Sequence, residues 1–403
     1  MSEYVAKSYP YRWVALLVFA LANVVIEIQW VALAPVTTES ALFYGVEPLS
    51  IGMLSMLYML VYLVMAMPAS WVIDKFGLRT GVGIGVALTG VCGLLKGVFG
   101  ESFSWVFGTQ VGLAVAQPFI LNAYTKLSAQ WFPHGERATA TGISSLAQYV
   151  GIILAMATAP WLVSEVGIKG TLMVYGVLSA AAAVAFFLFF RERPPTPPDG
   201  GALEASLPFA KGLKHMLKQR DMLLLLALFF VGLGIFNALT TWIEQVVAPR
   251  GFDSEDAGLL GAVMMVGGVV GAVVLPLISD RIGARKPILA LCMVMVVPGL
   301  AGVAYANSLA LLLLAGFVLG FFIMSAGPIG FQYAAEVSAP APEAASQGLI
   351  LLAGQISGIA FIFGMDAWRG PDGDMAPSLM AFTILAVLAA GAVFLLRDSR
   401  STR

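Results

Sequence analysis

Twelve apolar stretches alternate with short polar turns along the chain, and each approaches the ~20 residues that a helix needs to cross the hydrocarbon core of a bilayer. The pattern places these spans at roughly 13–36, 50–73, 80–99, 104–129, 138–162, 169–190, 222–247, 256–279, 286–305, 309–332, 344–365 and 377–396. Only one polar stretch is long, 191–221, between the sixth and seventh spans. Its RERPPTPPDGG cannot be a helix interior because of the prolines, and the FAKGLKHMLKQR that follows has the amphipathic pattern of a short interfacial helix. The expectation is an all-α membrane protein of twelve transmembrane helices. It divides into an N-terminal six-helix bundle (1–190), a linker with a surface helix (191–221) and a C-terminal six-helix bundle (222–403).

Composition agrees. Hydrophobic residues make up 59% of the chain and charged residues 11%, far from the mixture of a soluble domain. A net charge of −1 and the lack of a long basic run argue against nucleic acid and against a protein that only lies on a membrane surface. Cys92 and Cys292 fall inside apolar stretches and read as small core residues rather than a disulfide. Lys7, Arg12 and Ala32-Leu33-Ala34 imitate a signal peptide, but Pro35 follows directly and the apolar run is too long, so the first span is read as retained. No Asn-x-Ser/Thr sequon occurs, in keeping with a prokaryotic inner membrane.

Charge sets the expected orientation. With both termini and the linker in the cytoplasm, the basic residues gather inside, and only Lys169, Arg250 and Arg369 fall outside, where the loops are acidic (Asp253, Glu255, Asp256, Asp366, Asp372, Asp374). Two inner turns share one pattern, WVIDKFGLR at 71–79 and LISDRIGARK at 277–286. Gly77 and Gly283 suit a tight reversal at positive φ. Asp74 sits at the C-terminal end of its own helix, where the macrodipole has the wrong sign for a carboxylate, and so should seek a neighbouring helix N-terminus, Lys75 or Arg79. Asp74, Arg79, Asp280 and Arg285 therefore read as a cytoplasmic latch or gate. The two copies resemble the loops between helices two and three and between helices eight and nine of the major facilitator superfamily, with Ser70 and Pro276 where that pattern has Gly. The resemblance implies two halves that rock about a mid-membrane site without ATP chemistry.

Within the spans, Glu27 is the clearest candidate for chemistry, because an ionisable group at bilayer depth is costly to leave unpaired. It reads as a contact for a cationic solute, as a proton-coupling site, or as a structural tie between helices. Glu244 lies towards the outer end of its span and reads equally as a vestibule residue. No Arg lies at mid-depth, and Lys96 and Lys126 lie near enough to helix ends to snorkel, so a cationic or neutral solute is favoured over a carboxylate. Gln29 and Trp30 adjoin Glu27, and an indole face attracts ammonium groups; packing is the plain alternative for Trp30. Gln117, Asn122, Tyr124, Gln148, Tyr149, Asn237, Trp242 and Gln355 are further polar candidates, although single amides in membrane helices often serve as glue between them. Glu136 suits the N-terminus of the fifth helix, and with Arg137 reads as part of an inner gate.

A closer resemblance rests on IQWVALAPV, AQPFILNAYTKLSAQWFPHGERATA and GFFIMSAGPIGFQYAAEVSAPAPEAASQGLILLAGQISGI. These are similar to the feline leukaemia virus subgroup C receptor family of transporters, associated with choline, ethanolamine and heme, and in a related member with a form of vitamin B6. In its choline-binding members an aromatic pair from the first and seventh helices cages the ammonium, with glutamines from the fifth and eleventh nearby. The resemblance implies solute contact by Trp30, Gln148 and Gln355. Asn237 stands where the second aromatic would be, and Glu27 is an addition, which points to a smaller or hydrogen-bonding amine or to added proton coupling. Heme ranks low, since His134 and His215 lie in cytoplasmic segments. No nucleophile motif, metal cluster or phosphate loop points to an enzyme or a cofactor. The expected protein is a monomeric alternating-access carrier of a small organic cation such as choline or ethanolamine, with substrate contacts at Glu27, Trp30, Gln148, Asn237 and Gln355. The alternatives are a proton-coupled carrier of a neutral or anionic metabolite and a non-transporting receptor.

Overall fold

The computed structural model describes residues 9–133, 136–196, 214–338, 343–370 and 373–397. The side chains of Asp74, Thr125, Arg137, Ala138, Asp280, Ala335 and residues 343–345 also lie outside the description. So do His134 and most of the linker; of the expected surface helix, Lys214, His215 and Met216 are helical.

The described residues form helices joined by short turns, and the chain divides into two compact units, Met1–Glu204 and Ala205–Arg403. The first holds α1 (Tyr11–Val31), α2 (Thr37–Tyr44), α3 (Pro48–Phe76), α4 (Leu78–Val98), α5 (Phe103–Leu121), α6 (Tyr124–Trp131) and α7 (Arg137–Phe189). The second holds α8 (Arg220–Thr241), α9 (Ile243–Val247), α10 (Ser254–Ile282), α11 (Arg285–Tyr305), α12 (Leu309–Ser338), α13 (Glu343–Ala367) and α14 (Ala376–Ala392). Among them are 11 helices apolar and long enough to cross a bilayer. One of these, Thr139–Phe189, runs for 51 residues. Straight, it would be about 77 Å long, more than twice a bilayer core. Gly167, at φ 70 and ψ 175, breaks it, so the fifth and sixth expected spans are its two legs.

Local chemistry explains where the other spans are interrupted. Pro35 ends the first helix and turns the chain through a single 3-10 turn into α2, which packs Ala41 with Leu33, Ile51, Leu54 and Leu172 in an apolar cluster. The fourth expected span, 104–129, is two helices, because the chain leaves α5 just after Pro118, at Asn122 and Ala123. Asn122 is occupied in bracing α3: it donates to Ala66 O at 2.9 Å and Ser70 Oγ at 3.0 Å and accepts from Tyr62 at 2.9 Å, on either side of Pro68. The seventh span breaks at Trp242, whose indole donates to Ile362 O at 3.2 Å.

Both units repeat one packing plan. In the first, α1 packs on α7, α4 on α5 and α7, and α3 on α5. In the second, α8 packs on α13, α11 on α12 and α14, and α10 on α12. In order of spans, these are the same four pairings twice, as an internal duplication requires.

The two matching turns also share their backbone. Gly77 and Gly283 take φ of 91 and 67, a region where a side chain is strained, and the chain reverses there between long helices. At the first turn a carboxylate does meet a helix N-terminus, but it is that of Glu192, beyond α7, which accepts from the backbone N–H of Leu78 at 2.8 Å and of Arg79 at 2.5 Å. Lys126 donates to Ile73 O at 2.6 Å, placing a cation at the C-terminal end of α3. At the second turn Arg285 pairs with Glu336 at 3.2 Å and donates to Ser279 Oγ at 3.3 Å. On the opposite end of the first unit, Lys169 Nζ donates to Glu101 Oε1 at 2.8 Å and holds that carboxyl below its ordinary value.

Lys96 corrects the sequence reading. It does not snorkel; it is fully buried, and its ammonium donates to Gln110 Oε1 at 2.7 Å, Gln29 Oε1 at 3.2 Å and Gln29 O at 3.3 Å. Gln29 donates in turn to Ser179 Oγ at 3.2 Å, and Gln110 to Leu54 O at 3.1 Å, so this cage ties together α1, α3, α4, α5 and α7. Close approach makes room for it: a Cβ on Gly93 would lie 3.0 Å from both Gln29 Nε2 and Ser179 Cβ. Lys96→Met would strand two buried amide oxygens, those of Gln29 and Gln110, each worth about 1–3 kcal/mol when left unsatisfied. Its apparent melting temperature should fall well below that of Lys75→Met, which removes an exposed ammonium; equal melting temperatures would contradict the cage.

Candidate functional site

Helix α1 carries the site in the first unit. Residues four and three apart share a face of a helix, and Asn23, Glu27 and Trp30 fall on one such line, while Gln29 faces the Lys96 cage. All four are buried. Asn23 donates to Tyr124 Oη at 2.5 Å and to Ser144 O at 2.6 Å. Trp30 donates its indole N–H to Ser55 O at 3.0 Å, and Ser55 Oγ returns a weaker bond to Trp30 O at 3.4 Å.

Glu27 is half satisfied. Its Oε1 accepts from Gln117 at 3.1 Å, whereas Oε2 is buried with no hydrogen-bond partner. The hydroxyls of Tyr58, Tyr124 and Tyr149 lie within electrostatic reach of the carboxylate. Two further buried oxygens of this layer also have no partner, Asn23 Oδ1 and Tyr58 Oη. Glu27 Oε2 and Asn23 Oδ1 call for donors, whereas the Tyr58 hydroxyl can donate or accept. A small solute that brings N–H or O–H groups would complete it, and a carboxylate would add one more acceptor. Gln148 joins the layer through Tyr124, whose hydroxyl lies 3.5 Å from Gln148 Oε1.

The helix crossing beside Glu27 is unusually close. A Cβ on Gly151 would lie 2.4 Å from Val24 O and 2.9 Å from Glu27 Cβ, so α7 can approach α1 here only because residue 151 has no side chain. The second unit repeats the device. A Cβ on Gly354 would lie 2.4 Å from Leu233 Cδ1, and Asn237 donates to Gly354 O at 3.4 Å. Asn237 of α8 therefore meets the backbone of α13 at Gly354, the residue before half-buried Gln355, at the crossing that corresponds to that of Glu27.

In the first unit Glu27 and Trp30 lie one turn apart on α1, with Gln148 reached through Tyr124; in the second, Asn237 reaches the backbone of Gly354. Arg79 and Arg285 lie at the two duplicated turns, away from these layers; Asp74 and Asp280 lie outside the described side chains. Glu136 pairs with Arg12 through two bonds of 3.0 and 3.3 Å, fastening the start of α7 to the start of α1. Glu244 is buried in α9. Sequence reasoning missed Gln110, Tyr58 and the burial of Lys96, and it passed over Arg369, whose guanidinium stacks 5.2 Å over Trp242 and reaches Gln245 at 2.9 Å.

Comparison with known proteins accords with this architecture. The profile of the Major Facilitator Superfamily matches residues 14–362. Solute carrier family 49 member A3 of Danio rerio is 33% identical over 378 residues, which cover 90% of this chain and 80% of the relative. The choline/ethanolamine transporter flvcr2b of Danio rerio is 28% identical, over 96% of this chain and 84% of its own. The crystal structure of a bacterial homologue of the human lysosomal transporter Spinster superposes with a TM-score of 0.77 at 16% identity, covering 97% of this chain and 98% of that one. These relatives are transporters and not enzymes. Profile, relatives and fold agree, and the chain belongs to the major facilitator superfamily.

Proposed function

We propose that the protein carries a small organic amine across the membrane by alternating access, and that its solute is a protonated primary amine of the ethanolamine type in preference to choline. The observation that carries this reading is Glu27, buried on α1 with Oε2 unpartnered, one turn from Trp30. An ammonium with N–H groups can both neutralise that carboxylate and donate to the oxygens around it. Choline offers charge and a hydroxyl but no N–H. The relatives named choline/ethanolamine transporters support the class of solute. In this proposal Glu27, Trp30 and Gln148 contact solute from the first unit, and Asn237 and Gln355 do so from the second. The protein acts as a monomer, with both termini cytoplasmic, in the cell membrane of a prokaryote.

A second reading makes Glu27 a proton-coupling site. It is favoured by the same buried carboxylate, which has an amide as its hydrogen-bond partner and no cation paired with it among the described residues. The two readings separate in one variant: Glu27→Gln abolishes accumulation driven by a proton gradient and spares exchange if the second holds, and abolishes amine binding if the first holds.

Thermal shift of the purified protein tests binding. A ligand that binds only the folded state stabilises it by about 2.7 kcal/mol at a hundredfold excess over its dissociation constant. Ethanolamine should raise the melting temperature more than choline does; Glu27→Gln should remove the shift and Trp30→Ala should reduce it. Stabilisation by carboxylates alone would overturn the proposal. We assign Asp74, Arg79, Asp280 and Arg285 to a latch at the basic ends of the helices, so Asp74→Asn should slow turnover and leave ethanolamine affinity within about twofold; loss of binding in a folded variant would refute that role.

A further inference from the structure

At the basic end of the first unit, away from the Glu27 layer, lies a cavity of about 320 Å³ lined by Tyr9, Tyr11, Trp131, Arg191, Arg193, Pro194 and Pro195. Three chain ends meet here: α1 begins at Tyr11, α6 ends at Trp131 and α7 ends at Phe189. The wall is held by Tyr11, which donates to Phe189 O at 2.6 Å, and by Tyr9, whose hydroxyl lies 3.1 Å from Thr196 Oγ1. The Arg191 guanidinium lies 4.4 Å over the Tyr11 ring, and the Tyr11 and Trp131 rings are 6.0 Å apart.

The polar groups of this wall that lack partners are donors. Neither Arg191 nor Arg193 is paired with a carboxylate among the described residues, although other arginines of the chain are, as Arg12 and Arg285 show. Trp131 is 3% exposed, and its buried indole N–H has no acceptor. Two guanidiniums in one cavity call for an anion with several acceptor oxygens, and a phosphate group has that chemistry.

The surroundings decide the source. Trp13, Leu188 and Phe189, two or three positions from Tyr11 and Arg191 of the cavity, are large apolar side chains exposed to 43%, 71% and 51%. In a membrane protein such a surface faces acyl chains. Tyr, Trp and Arg at the ends of spans are the residues that settle at headgroup level, and a basic pocket between helix ends there is placed to take an anionic headgroup. We propose that this cavity is a binding site for the phosphate of an anionic phospholipid, held by Arg191 and Arg193 with Trp131 beside them. A lipid bound there would join the starts and ends of α1, α6 and α7 through one headgroup.

Native mass spectrometry of the detergent-purified full chain tests this, with phosphatidylglycerol, phosphatidylcholine and inorganic phosphate as probes. The wild-type protein should retain phosphatidylglycerol over phosphatidylcholine. Arg191→Gln with Arg193→Gln should weaken that retention about 10- to 30-fold, as expected for two basic groups at the membrane surface. Arg193→Gln alone, at an exposed position with no hydrogen bond or ion pair among the described residues, should weaken it severalfold and serves if the double variant does not fold. Lys75→Gln, an exposed basic residue at the same end but outside the cavity, should change nothing. Equal retention of the two lipids, an unaltered double variant or an equal loss in Lys75→Gln would overturn the proposal. Displacement of the lipid by millimolar inorganic phosphate would also overturn it, in favour of a soluble anion.

Discussion

A polar side chain inside a bilayer must find its hydrogen bonds within the protein, since hydrocarbon offers none. Helix α1 is built around that constraint. It carries Asn23, Glu27, Gln29 and Trp30 across its buried length, and each reaches a different partner: Ser144 and Tyr124, Gln117, Ser179, and Ser55. The helix thereby registers α3, α5, α6 and α7 against itself. On one side of it Lys96 fills a cage of amide oxygens and closes it. On the other the bonds do not close, because Glu27 Oε2, Asn23 Oδ1 and Tyr58 Oη remain without partners. The same helix thus separates a bonded layer, which holds the unit together, from one that keeps unpartnered oxygens.

The duplication carries this arrangement into the second unit with different residues. Gly151 and Gly354 both allow a helix to approach the first helix of its unit closely, and Glu27 and Asn237 stand at those crossings. The first copy thus carries a carboxylate at this crossing and the second an amide.

Much of this was legible in the sequence. The spans, the repeat at 71–79 and 277–286 and the isolated acid at Glu27 are read from hydropathy and spacing, which reflect local constraints. Positive φ at Gly77 and Gly283 followed from the need for a tight turn. Less legible were features that depend on which helices cross. Lys96 is close enough in sequence to a helix end to suggest snorkelling, and only the packing of Gln29 and Gln110 around it shows that it points inward. Nor did the sequence point to Glu192, 115 positions beyond Gly77, as the carboxylate that meets the backbone of Leu78 and Arg79. The break at Gly167 was expected as a loop between two spans and forms a single kinked residue within a continuous helical run.

The most direct test of the account is counterflow in proteoliposomes preloaded with unlabelled ethanolamine, with radiolabelled ethanolamine outside and no ion gradient. The account predicts transient accumulation of label with the wild-type protein, faster than for choline under the same conditions, and none with Glu27→Gln. Counterflow of ethanolamine at the wild-type rate through Glu27→Gln would show that the unpartnered carboxylate is not where the amine binds.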